Sequence, residues 1–127
     1  MLIKKYHVLV IDDNEDILFM LKAMLTHKGY EISVKENTEN IESAIESLSP
    51  DVILMDMLLS GSDGREICNQ LKANPLLSHI PIIMTSAHPQ ANKECLNAGA
   101  DFFLAKPFEM NDLFQTVATT LKKVGKN

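Results

Sequence analysis

Four stretches of this sequence end an apolar run on a residue that can do chemistry. HVLVI, residues 7–11, runs into Asp12 and Asp13, and VILM, residues 52–55, runs into Asp56. IPIIM, residues 80–84, runs into Thr85, and DFFLA, residues 101–105, runs into Lys106. Two carboxylates about 4 Å apart repel by roughly 4 kcal/mol at an effective dielectric of 20, so three of them gathered at one place call for a cation. A hard divalent ion with oxygen ligands relieves that repulsion, and Mg²⁺ suits a shallow site because it retains several waters. Such an ion tolerates an incoming phosphoryl group, whose other oxygens need donors. Thr85 offers an O–H and Lys106 a point charge. Asp56, the middle member, is placed as the nucleophile that becomes an aspartyl phosphate. Singly, each feature is ordinary: an Asp pair caps a helix, a Thr turns the chain, a Lys-Pro bends it. Only their shared position at strand ends carries the argument.

Those strand ends require a particular scaffold. Short apolar runs alternate with helix-like segments, which predicts an α/β fold: a doubly wound, five-stranded parallel sheet with helices on both faces. The strands are HVLVI, EISVK with Ile32 and Val34 inward on an edge, the run from Val52, IPIIM and DFFLA. Asp13 or Asn14 caps a first helix running to about Lys28, with Ile17, Leu18, Met20, Leu21, Met24 and Leu25 on its inner arc and Phe19 on the polar side. Further helices are expected over residues 38–48, 65–73, 89–97 and 110–123. Gly61 and Gly64 mark the loop after Asp56. Right-handed crossovers give strand order 2-1-3-4-5, which sets strands one and three side by side and brings all the chemical ends to one rim.

Composition narrows the class. At 127 residues with 46% hydrophobic content, the chain reads as a single domain over residues 1–127. No apolar run approaches the roughly 20 residues of a membrane span and MLIKKYH is too short for a signal peptide, so a cytoplasmic location is expected. A net charge of −5 argues against a duplex-DNA surface. The tail cations Lys122, Lys123 and Lys126 read as a solvated helix end. Cys68 and Cys95 lack metal-ligand spacing and read as reduced thiols, and the four His are scattered.

In VLVIDDNED, DVILMDMLLSGSDG, IPIIMTSAH and GADFFLAKPF the chain resembles the receiver domain of bacterial two-component response regulators, over Val8 to about Leu121. The resemblance implies a flavodoxin-like fold and a phosphorelay role. Asp12 and Asp13 would be the acidic pair holding Mg²⁺, Asp13 directly and Asp12 through water, with the Leu58 carbonyl completing the site. Asp56 would be phosphorylated by a histidine kinase or phosphotransfer protein. Thr85 would be the switch hydroxyl, Lys106 the phosphate-pairing lysine and Phe103 the aromatic switch, with a cis Lys106–Pro107 peptide. Phosphorylation adds charge and acceptor oxygens at Asp56, drawing Thr85 and Lys106 inward and turning Phe103 into the vacated space, so that the helix 4, strand 5, helix 5 face changes for a downstream effector. The protein would be a monomer or a phosphorylation-linked homodimer, and a phosphoacceptor rather than an enzyme.

Three departures from the family pattern carry expectations. Ser60 stands where Pro is usual, which predicts a looser loop. Phe103 replaces the frequent Tyr, which predicts a ring biased inward at rest. Leu58 and Ala87 flank the site with apolar groups unable to orient water, which predicts a long-lived phosphoryl group. An alternative within the family is a receiver excised from a hybrid kinase or a DNA-binding regulator, which an end at Lys-Val-Gly-Lys-Asn also fits. A phosphatase of the haloacid dehalogenase type would need an Asp at position 58. A flavodoxin-like flavin binder would need a Ser/Thr/Gly-rich anion loop where Asp12, Asp13 and Glu15 repel phosphate.

Overall fold

The computed structural model describes residues 5–88 and 90–123. Apolar side chains on both faces of the central strands force a sheet covered on two sides. Strands β1 (His7–Ile11), β2 (Glu31–Lys35), β3 (Val52–Asp56), β6 (Ile82–Ser86) and β7 (Phe102–Ala105) pair in parallel in the order β2-β1-β3-β6-β7. Two-residue strands β4 (Leu58–Leu59) and β5 (Ser62–Asp63) form a small antiparallel hairpin beside the sheet. With that hairpin set aside, the order is the expected 2-1-3-4-5.

The period of two along each strand divides the core. Leu9, Ile11, Ile53, Met55, Ile82 and Met84 face one way and bury against Ile41 and Ile45 of α2 (Ile41–Leu48), Cys68 and Leu71 of α3 (Gly64–Ala73), and Ala91 and Cys95 of α4 (Ala91–Asn97). Val8, Val10, Val52, Leu54 and Ile83 face the other way, against Leu18, Leu21 and Leu25 of α1 (Glu15–His27) and Leu113, Val117 and Leu121 of α5 (Met110–Lys123). Each such buried aliphatic side chain contributes about 1.5–3 kcal/mol of transfer free energy, so the sheet is the most constrained part of the molecule.

Several details differ from the sequence expectation, each for a local reason. β6 starts at Ile82 rather than Ile80, because the Ile80 N–H closes a turn onto the Leu77 carbonyl and Pro81 has no N–H to offer a ladder. It continues through Thr85 and Ser86, which pair with Leu104 and Ala105 of β7. Val34 is 38% exposed, since β2 is an edge whose outer side has no helix to cover it. Met20 is 45% exposed, off the arc that Leu18, Leu21 and Leu25 bury. Phe19 is exposed, as its position on the polar side predicts. Of the expected fourth helix, Pro89 lies outside the described residues and α4 begins at Ala91. Lys122 and Lys123 sit in the last turn of α5, whereas Lys126 lies outside the described residues.

Candidate functional site

The sheet register delivers the chemistry to one rim. Asp56 and Thr85 are direct partners across β3 and β6, and Thr85 pairs in turn with Leu104, two residues before Lys106. The Lys106 N–H donates to the Ser86 carbonyl at 2.9 Å, extending the ladder by one step before the cis Lys106–Pro107 peptide turns the chain away. On the other side of β3, the Asp12 N–H donates to the Lys35 carbonyl at 3.1 Å and continues the β1–β2 ladder. Asn14, not Asp13, caps α1: its side-chain oxygen accepts from the Ile17 N–H at 3.1 Å. Asp13 is therefore left for the site, while Asp12 accepts the Asn14 N–H on Oδ1 at 2.9 Å and turns Oδ2 toward Lys106.

Asp12, Asp13 and Asp56 each place one carboxylate oxygen within 4.8 Å of the others. They are graded in depth, with Asp12 buried, Asp56 half-buried and Asp13 exposed at the lip. The Lys106 Nζ lies 3.1 Å from Asp56 Oδ2 and 3.4 Å from Asp12 Oδ2. Burial raises the Asp56 pKa and the neighbouring Asp12 charge adds to that, with Lys106 offsetting only part. For Lys106, burial alone would favour the neutral amine, but the two carboxylates outweigh it and its pKa is raised. Asp13 moves the other way: the Ser60 hydroxyl, donating to it, lowers its pKa.

The loop after Asp56 is fixed by backbone contacts. The Met57 N–H donates to the Thr85 carbonyl at 2.8 Å, and the Gly64 N–H donates to the Met57 carbonyl at 2.6 Å. A Cβ at position 64 would stand 2.5 Å from the Asp56 carbonyl oxygen, so only glycine allows the hairpin to close against the strand end. The Leu58 N–H points at Asp56 Oδ1 at 3.4 Å while its side chain is 61% exposed. Thr85 is buried, and Phe103 is half-buried, packed against the core cluster on the α3 and α4 side. Asp12, Asp13, Asp56, Thr85 and Lys106 are thus brought together at this rim.

Ser60 is where the sequence expectation fails. The loop is not loosened by the absence of proline but tied down: the Ser60 N–H and Oγ–H both donate to Asp13 Oδ2, at 2.8 and 2.6 Å. Proline could make neither bond. The two residues stand 47 apart, and no local pattern announces the contact.

An all-oxygen donor set of three carboxylates, without His or Cys, fits a hard cation such as Mg²⁺. The flanking ammonium and hydroxyl suit an oxyanion. A parallel doubly wound sheet with an acidic rim of this kind is the arrangement of a signalling domain, and the sequence agrees: residues 8–118 match the family described as "Response regulator receiver domain". The chain belongs to that family, the receiver domains of two-component response regulators. It is 34% identical over 120 residues to the phosphate regulon transcriptional regulatory protein PhoB of Pseudomonas aeruginosa, covering 93% of this chain and 52% of that protein. The chain thus spans about half the length of the curated relatives it matches. Among solved structures, a two-component response regulator from Clostridium difficile superposes with a TM-score of 0.85 at 28% identity, covering 95% of this chain and 99% of that one. The receiver domain of sensor histidine kinase PA1611 from Pseudomonas aeruginosa, with a magnesium ion coordinated in its active site cleft, gives 0.84 at 26% identity over 94% and 99%. Among the described residues no helix is long and apolar enough to cross a membrane.

Proposed function

We propose that Asp56 accepts a phosphoryl group from a histidine kinase or phosphotransfer protein in a Mg²⁺-dependent reaction, and that the resulting charge switches the α4, β7, α5 face toward a downstream effector. The observation that carries this is Lys106 Nζ held between Asp56 Oδ2 and Asp12 Oδ2 beside the strand partner Thr85. In the transfer, an Asp56 carboxylate oxygen attacks phosphorus, an O–P bond forms, and the P–N bond to the donor imidazole breaks, with the departing nitrogen taking a proton. Asp12, Asp13 and Asp56 would hold Mg²⁺ with the Leu58 carbonyl. When bound, the ion neutralises charge on the phosphoryl oxygens. Lys106 exchanges a carboxylate partner for a phosphoryl oxygen, Thr85 donates its O–H to another, and Phe103 follows Thr85 inward. Phosphoryl contacts made in only one of the two arrangements shift the population toward it.

In this role the chain acts as one receiver domain, a cytoplasmic phosphoacceptor rather than an enzyme acting on an outside substrate, without a DNA surface of its own. The similarity to the transcriptional regulatory protein PhoB, about half of whose length it covers, favours a second form in which this domain controls a further, transcription-regulating half. Incubation with acetyl phosphate and Mg²⁺, followed by intact mass, tests the central claim. The wild type gains one phosphoryl mass, Asp56→Asn does not, and chelation abolishes the gain. Equal labelling of the variant would overturn the assignment. Size-exclusion chromatography with light scattering on the same samples separates a constitutive monomer from a phosphorylation-linked dimer.

A further inference from the structure

The geometry points to Ser60 as a positioning residue that sets the Mg²⁺ affinity of the acidic pocket by holding Asp13 in its liganding orientation. This rests on the receiver reading above and deepens it. Asp13 and Ser60 are both exposed, so burial does not force the contact. A free carboxylate at the lip would rotate in solvent, and ordering it would cost side-chain entropy at the moment of metal binding. Two donors on the single oxygen Oδ2, at 2.8 and 2.6 Å, fix the carboxylate's rotation. With that clamp in place, an Asp13 oxygen already stands within 4.8 Å of oxygens of Asp12 and Asp56. The clamp therefore prepares the cluster instead of withdrawing a member from it.

Ser60 can do this because its own position is fixed. It follows β4, whose Leu59 pairs with Ser62 and whose Leu58 pairs with Asp63, so the hairpin presents the Ser60 N–H and hydroxyl in one direction. The hairpin is braced from outside by the Ser62 and Thr38 hydroxyls, 2.9 Å apart. Leu58, proposed to lend its carbonyl to the ion, lies in that hairpin. The Ser60–Asp13 bonds thus join the two loops that supply ligands, and a disturbance of one is felt by the other.

The test is a Mg²⁺ titration of the full chain followed by backbone amide NMR shifts at Asp12, Asp13 and Leu58, for wild type, Ser60→Ala and Ser60→Thr. Ser60→Ala keeps the N–H and loses the hydroxyl. Its Kd for Mg²⁺ rises about three- to tenfold, a charge-assisted bond discounted for exposure. Ser60→Thr retains both donors and stays within about twofold of wild type, as conservation of the same hydrogen bonds requires. An alanine variant that binds Mg²⁺ as tightly as wild type, or more tightly, overturns the positioning role and leaves the receiver reading standing. A wild type with no Mg²⁺ response at these amides overturns the metal site itself, and the positioning role with it.

Discussion

The Lys106 ammonium stands 3.1 Å from Asp56 Oδ2 and 3.4 Å from Asp12 Oδ2, and is the cation that makes two adjacent acidic strand ends tolerable. Its side chain is 21% exposed and that of Asp12 only 5%, so solvent screens the Asp12 pair poorly. Replacing it, as in Lys106→Gln, leaves like charges facing each other without compensation. The variant is expected to lose about 1–3 kcal/mol, toward the low side for a broken buried pair. Mg²⁺ then recovers more stability in the variant than in wild type, because the ion takes over the neutralisation. Thermal melts with and without Mg²⁺ check both statements, and metal-free melts that coincide would count against them.

Asp56 provides the opposite case. Its folded-state pKa is raised, first by burial and further by Asp12, so the ionised form costs stability above that pKa, and the cost disappears as pH falls below the unfolded value. Asp56→Asn removes the charge and keeps the shape. It is expected to be more stable than wild type at pH 7, with a Tm higher by a few degrees, because the raised-pKa carboxylate is gone while Lys106 keeps Asp12 as its partner. The gap closes as pH falls through the raised folded-state pKa and below the unfolded value, where the wild-type carboxyl is itself neutral. Melting curves across that range decide the matter; a variant less stable than wild type at pH 7 contradicts the account.

The placement of the rim was legible in the sequence because each of Asp12, Asp56, Thr85 and Lys106 closes an apolar run, and a parallel sheet sends all such ends to one side. The α/β order followed from the same alternation. What was not legible depended on contacts across long separations or on apolar residues in unexpected places. Ser60 reads as a missing proline until the hairpin brings it to Asp13. Ile80 looks like strand but is spent on a turn, while Thr85 and Ser86 look like loop but are held in the ladder by β7. Met20 and Val34 fit the inward pattern yet face solvent, since a hydrophobic residue is permitted outside wherever no neighbour covers it.

Gly64 fixes the distance between the hairpin and the Asp56 strand end. Gly64→Ala places a methyl 2.5 Å from the Asp56 carbonyl oxygen and 2.9 Å from that of Met57, both backbone atoms that cannot swing aside. The strand end must move, at an expected cost of about 2–3 kcal/mol, in the range of other overpacked sites. Labelling by acetyl phosphate slows in parallel, as the displaced backbone carries Asp56 with it. Urea unfolding gives the first quantity and timed intact mass the second. A midpoint equal to wild type would show that the loop relaxes without moving the acceptor.

Leu58 and Ala87 are expected to set how long a phosphoryl group lasts. Hydrolysis needs a water held in line with the O–P bond, and orienting that water is the work of a nearby donor or acceptor side chain. The Leu58 side chain is 61% exposed beside Asp56, and Ala87, just past Thr85, is exposed as well; neither has a polar atom beyond the backbone. Phospho-Asp56 is therefore expected to persist for minutes to hours with Mg²⁺ present. Leu58→Asn puts an amide where it can hold the water and leaves the backbone carbonyl in place. Decay should accelerate several-fold while stability stays within about 0.5 kcal/mol, as for other surface substitutions. The readout is the loss of phosphoryl mass after acetyl phosphate is removed, wild type beside variant. Rapid decay in the wild type, or identical decay in both, would assign the lifetime to some other group at the rim.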